Sequence, residues 1–216
     1  MLNSRRAACF ALVALLGVAA PALAGPPLLC HPFDIGSARS LPWDGTNAWW
    51  QGRADYNLQN LVADTEAILT PSTPVIVRME TLRRAALYAS LDDKVAARLL
   101  SSVTTRAHAG AQGAASASAL FDAGYLTETY KQIAVLRGER QFADRARTIA
   151  GVIGQADGTA MLNRAIALRP DDASLRFAAA LVAATADRTA YRDHADKARK
   201  GAAGDALLAR NIDKLS

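Results

Sequence analysis

Cys30 and His31 stand side by side in Cys30-His31-Pro32-Phe33-Asp34-Ile35-Gly36, the first place in the chain where residue types could do chemistry. A thiol next to an imidazole could act as a redox thiol, as a nucleophile, or as two ligands of a metal site. Each role asks for more than the pair supplies. A nucleophilic thiolate needs a cation or a helix terminus to lower its pKa, a positioned base and oxyanion donors. A metal needs further ligands, and the other histidines, His108 and His194, lie far away in sequence, while Asp34 adds one carboxylate. Both distant histidines are expected on the surface near helix ends. Haem attachment through C-x-x-C-H is excluded because Cys30-His31 has no partner cysteine at that spacing. The residues before Cys30, Pro27-Leu28-Leu29, lack the small residue that a lipoprotein signal places there.

Leu41-Pro42-Trp43-Asp44-Gly45 and Ala48-Trp49-Trp50 follow, and they hold all three tryptophans of the chain. Trp43, Trp49 and Trp50 could form an aromatic platform for a sugar or a peptide. The preferred reading is that an irregular arm uses large side chains to pin itself onto the rest of the molecule. A second candidate set, Arg78, Glu80, Arg83 and Arg84, lies on one expected helix. Arg78 and Arg84 are candidate anion binders, but a solvated face with local pairs such as Glu80 to Arg84 is the favoured expectation. No G-x-S-x-G, H-E-x-x-H, P-loop or paired-carboxylate signature is present, so no cofactor and no reaction is called for.

Residues 1 to 24 have the three parts of a secretory signal. Arg5 and Arg6 form the charged start, Ala11 to Ala20 is an apolar run too short for a permanent anchor, and Ala22-Leu23-Ala24 is a small-x-small cleavage site. Ser4-Arg5-Arg6 opens like a twin-arginine signal but lacks the Phe and Lys expected after the pair. The expectation is a periplasmic or secreted protein with no stable membrane anchor after cleavage. Cleavage removes Cys9, leaving Cys30 as the single thiol, which permits a disulfide-linked dimer but no internal disulfide. It also removes two basic residues and no acidic one, so the formal charge falls from +5 to +3. No basic stripe with interleaved aromatics remains, and a nucleic-acid role is not expected.

The elements that must position these residues are helices. Alanine supplies 48 of 216 residues, and alternation of period two is not sustained anywhere. Residues 25 to 54 read as an extended, Trp-rich N-terminal arm, 55 to 110 as a helical subdomain and 111 to 216 as helical hairpins. The first helix is expected from about Asn57 to Leu69. Thr73 and Pro74 should then open a helix to about Ser90, and Asp92 or Asp93 a third, with Val95, Leu99, Val103 and Ala107 on its buried stripe. Ala109 to Ser118 reads as a flexible connection ending in a Ser116 or Ser118 cap. Helices from Ala119 to about Leu136, Gln141 to Ile153, Gly158 to Leu168, Asp172 to Ala184 and Thr189 to Ala202 complete the stack, with a last turn or two from Ala206 to Ile212.

Part of this pattern resembles the tetratricopeptide repeat, a stacked helix-turn-helix unit. In Ala156 to Ala180, Gly158, Leu162 and Ala165 stand where that family has the small, large and small packing residues of its second helix. Ala167-Leu168-Arg169-Pro170-Asp171-Asp172 is similar to its turn into the next repeat. Phe142, Ala146 and Ile149 would be first-helix positions of the same unit, and Ala123-Gly124 with Thr127 resembles the first helix of an earlier one. Ala179, Ala180 and Ala183, followed by Tyr191, Ala195 and Ala198, are similar to a further unit. The resemblance covers about residues 117 to 200. It implies an all-α fold of stacked antiparallel hairpins and a non-catalytic scaffold that holds a peptide or protein partner. A thiol- or metal-dependent enzyme centred on Cys30 and His31, and a carbohydrate-binding module using the three tryptophans, are the alternatives.

Overall fold

A computed structural model describes residues 26–44, 48–109 and 114–215. The signal assigned to residues 1 to 24 lies outside them. All regular structure among the described residues is helical. The helices are α1 (Leu61–Ile68), α2 (Val75–Ala89), α3 (Asp93–His108), α4 (Ala114–Val135), α5 (Ala143–Ala150), α6 (Gly158–Leu168), α7 (Ala173–Ala183), α8 (Arg188–Gly201) and the short α9 (Ala206–Ala209). None of them is long and apolar enough to cross a membrane.

Aspartate starts many of these helices for one reason: its carboxylate accepts from the free amides of the first turn and faces the positive end of the helix dipole. Asp92 accepts from the Val95 amide at 2.9 Å, Asp157 from Ala160 at 2.9 Å and Asp172 from Leu175 at 3.0 Å. Asp187 and Asp205 cap α8 and α9 in the same way. Two expected caps are corrected. The Thr73 hydroxyl donates back to the Ile68 carbonyl at 2.5 Å and closes the preceding turn, leaving α2 without a side-chain cap. Helix α4 already begins at Ala114, so Ser116 and Ser118 lie inside it.

The core is one continuous cluster running from Leu28 in the arm through α2, α4 and α7 to Leu215, across the boundary expected near residue 110. Helices α2 and α4 sit at its centre. Only Arg84 of α2 escapes full burial, so the solvated face expected there does not exist. The physical reason is that the N-terminal arm lies over the charged side of α2 while α1, α3, α4 and α7 surround the rest.

Helix α4 packs most extensively along α6, and α7 along α8, whereas α5 rests on α4 and scarcely touches α6. Glycine makes these close crossings possible. A Cβ on Gly124 would fall 2.7 Å from the Gly158 carbonyl oxygen, and one on Gly158 would fall 2.6 Å from the Gly124 oxygen. Both obstacles are backbone atoms, so neither can swing aside.

Candidate functional site

The arm enters through a turn in which the Leu29 and Cys30 amides donate to the Pro26 carbonyl at 3.0 and 3.1 Å. Leu28 and Leu29 are fully buried, and the Leu28 amide donates to Gln132 Oε1 of α4 at 2.9 Å. Phe33 follows them into the core and meets Phe177 of α7 edge-on at 6.0 Å. Asn211 then clasps the chain, accepting from the Asp34 amide at 2.8 Å and donating to the Asp34 carbonyl at 2.9 Å. The segment is thus tied to α4, α7 and the C-terminal segment within a few residues, which buries its apolar side chains.

Cys30 lies half-buried between these anchors, and His31 is exposed. Burial pushes the thiol pKa up, and the nearby Arg83 charge offsets this only in part. That is the reverse of what an activated thiolate requires. The Asp34 carboxylate accepts from the Gly36 amide at 2.8 Å and lies 3.6 Å from Arg210, so it is turned toward its own loop and the C-terminal segment. Among the described residues, no three His, Cys, Asp or Glu side chains converge in a way that could hold a metal ion.

The tryptophans are all partly buried and packed against the core. Trp49 stacks on Phe142 with centroids 5.4 Å apart, and Trp50 meets both rings edge-on at 5.4 and 6.1 Å. Trp43 meets Tyr88 edge-on at 5.4 Å, and the Arg83 guanidinium lies 5.1 Å from its ring centroid. Much of each ring is therefore engaged by internal partners, while Trp43 also borders an open hollow of about 450 Å³ with Arg53 and Asp55.

Beneath the arm, α2 presents Glu80, which accepts from Arg83 Nε and Nη2 at 2.8 Å each, Arg84 Nε at 2.6 Å and the Phe33 amide at 3.0 Å. Arg83 also donates to the Leu29 and Trp49 carbonyls, and Arg84 to the Leu41 carbonyl. Burial alone would raise the Glu80 pKa, but the two guanidinium groups and the Phe33 amide hold it below the ordinary value. A second buried set joins α2, α3 and α4. Arg78 donates to both Asp122 carboxylate oxygens at 2.9 and 2.7 Å and to the Thr70 and Thr73 carbonyls, while Arg106 reaches Asp122 at 2.8 Å. Here burial dominates, and the Asp122 pKa is pushed up to about 6 despite both arginines. Arg78 and most of Arg84 are thus committed to internal partners, and sequence spacing shows only the local Glu80 to Arg84 pair.

The histidines divide. His108 is exposed in the last turn of α3, with Nδ1 2.8 Å from the Thr104 carbonyl oxygen. His194 lies within α8 rather than at its end, partly buried, and burial together with the Arg176 charge lowers its pKa. His108 and Thr104 also line open concave surface. A hollow of about 700 Å³ runs between α3 and the segment joining α5 to α6, lined by Ala97, Leu100, Ser101, Thr105, Val152 and Ile153 among others. Ala97 and Val152 also border a neighbouring hollow of about 660 Å³, reaching Asp93 at the start of α3 and Thr148 in α5, so the two form one trough. Nothing in the spacing of these residues marks the trough in advance, because it arises where α5 diverges from α6. No protein-family model matches the chain, and neither the curated proteins nor the solved structures contain a significant match to it.

Proposed function

We propose that this chain is an exported, non-catalytic helical-repeat protein that holds a peptide segment of a partner protein in the trough between α3 and the α5–α6 connection. The observation that carries this reading is the trough itself, two contiguous hollows of about 700 and 660 Å³ along one helix. Leu100, Val152 and Ile153 supply an apolar floor, and Ser101, Thr105 and Gln155 supply side-chain polar groups at the walls. That mixture suits an extended peptide, whose side chains need apolar contact and whose backbone needs hydrogen-bonding partners. The antiparallel packing of α7 with α8 fits a helical hairpin, whereas α6 packs on α4 and not on α5, the helix that the resemblance gives it as a partner. Export rests on the tripartite signal in residues 1 to 24.

Peptides selected from a displayed random library against the purified chain test the reading. Titration of a selected peptide should shift the amide resonances of Ala97, Ser101, Thr105 and Val152, and Ala97→Glu should abolish binding. Cys30→Ser should leave binding unchanged. Shifts confined to the arm, or binding unaffected by Ala97→Glu in a folded protein, would overturn the assignment.

A further inference from the structure

The first turn of α7 meets the last turns of α8 at a close crossing, where a Cβ on Gly201 would sit 2.3 Å from the Ala173 Cβ. Beside that crossing lies a separate hollow of about 470 Å³, bordered by Arg176, Lys197, Lys200 and Asp171. Arg176 differs from the core arginines. Arg78, Arg83, Arg84 and Arg106 each face a carboxylate at 2.6 to 2.8 Å. Arg176 donates through Nη2 to the Pro170 carbonyl at 3.2 Å, and its Nη1 lies 3.5 Å from His194 Nδ1. Its Nε is buried and has no acceptor among the described residues. Burial, more than the Arg176 charge, depresses the His194 pKa, and the Arg176 charge also acts on the Asp193 carboxylate.

We propose that this hollow is a binding site for a phosphate group. Three cations line it against one bordering carboxylate, Asp171, and Lys197 shares its charge with Asp193 at 2.8 Å. The surplus is one positive charge, which favours an anion over a neutral ligand. The remaining Nη hydrogens of Arg176 and the Lys200 ammonium can each meet a phosphate oxygen, beside an α7 first turn that Asp172 already caps. The volume lies within the range of small-molecule sites and leaves room for an organic body attached to the phosphate. Asp171 would repel a second anionic group and accept a hydrogen bond from a hydroxyl, so a hydroxylated phosphate monoester suits the hollow better than a polyanion.

Titrating the purified chain with inorganic phosphate, with glucose 6-phosphate and with glucose, at physiological salt, tests the site by ¹⁵N NMR. Both phosphates should shift the Ala173 and Ser174 amides and the Arg176 Nε–H resonance, the ester more tightly, while glucose should not. Arg176→Gln should weaken ester binding at least about tenfold, the loss expected for a charge-assisted contact. Arg188→Gln, which removes the same charge at the start of α8 outside the hollow, should leave binding unchanged. Equal affinity for phosphate and ester would identify free phosphate as the ligand and overturn the role of the organic body. Shifts spread over the exposed lysines, or shifts at Ala173 unaltered in a folded Arg176→Gln protein, would overturn the site.

Discussion

Removing the Glu80 carboxylate should release the N-terminal arm before it unfolds the helices. Glu80→Ala deletes four acceptor contacts at once and leaves Arg83, which is fully buried, with two carbonyl partners and no opposing charge. Breaking one side of a buried ion pair costs about 3–5 kcal/mol. That is a large part of the roughly 5–15 kcal/mol that holds an ordinary domain together. For a chain of this size it corresponds to a fall in Tm of roughly 6–20 °C. The loss should not be uniform, because the Phe33 amide and the Leu29, Trp49 and Leu41 carbonyls all attach to the Glu80, Arg83 and Arg84 cluster. All three tryptophans belong to that arm, so their emission reports its docking. The half-buried Cys30 supplies a second reporter, since its reaction with a thiol reagent should accelerate when the arm lifts. Replacing both charges, in Glu80→Leu with Arg83→Met, should recover part of the stability, because no fully buried charge is left uncompensated and the partly exposed Arg84 keeps the Leu41 carbonyl. A Glu80→Ala protein destabilised by no more than about 1 kcal/mol, the value of an exposed pair, with unchanged Cys30 reactivity, would refute the reasoning.

Asp122 and Glu80 should have opposite pH signatures. The folded pKa of Asp122, about 6, lies above its ordinary value of 3.8, so its favourable contribution is complete below about 3.8 and disappears as the pH rises through 6. Urea titrations should therefore show the stability of the wild type, relative to Asp122→Asn, falling by on the order of 3 kcal/mol across that window; a constant difference would mean that the carboxyl is not shifted. Glu80, with its pKa held below 4.5, contributes above that value and loses its contribution as the pH drops beneath it. Gly124→Ala and Gly158→Ala should each cost about 1–3 kcal/mol by forcing α4 and α6 apart. Gly138→Ala, where an added Cβ meets nothing within 4 Å, serves as the control, and equal thermal midpoints for all three variants would contradict the close crossing.

Local chemistry in the chain determined the all-helical fold. Apolar period, aspartate caps and the Pro170 turn place α6 and α7 within about a residue of where they are found, because those signals act over one or two turns and need no distant partner. The grouping of helices was legible only in part. Gly124 and Gly158 are visible as small residues, but their contact across 34 positions exists only once α5 has been set aside against α4. The charged residues of α2 show the same limit more sharply. Their spacing predicts a solvated face, since nothing local distinguishes an arginine that faces water from one that faces Asp122 or the carbonyls of an arm more than thirty positions upstream. Burial of those charges, the shifted pKa values of Glu80 and Asp122, the attachment of the three tryptophans, the trough along α3 and the hollow beside α7 were decided by tertiary structure alone. Each depends on groups distant in sequence being brought within hydrogen-bond or van der Waals reach, and a one-dimensional pattern carries no such distance.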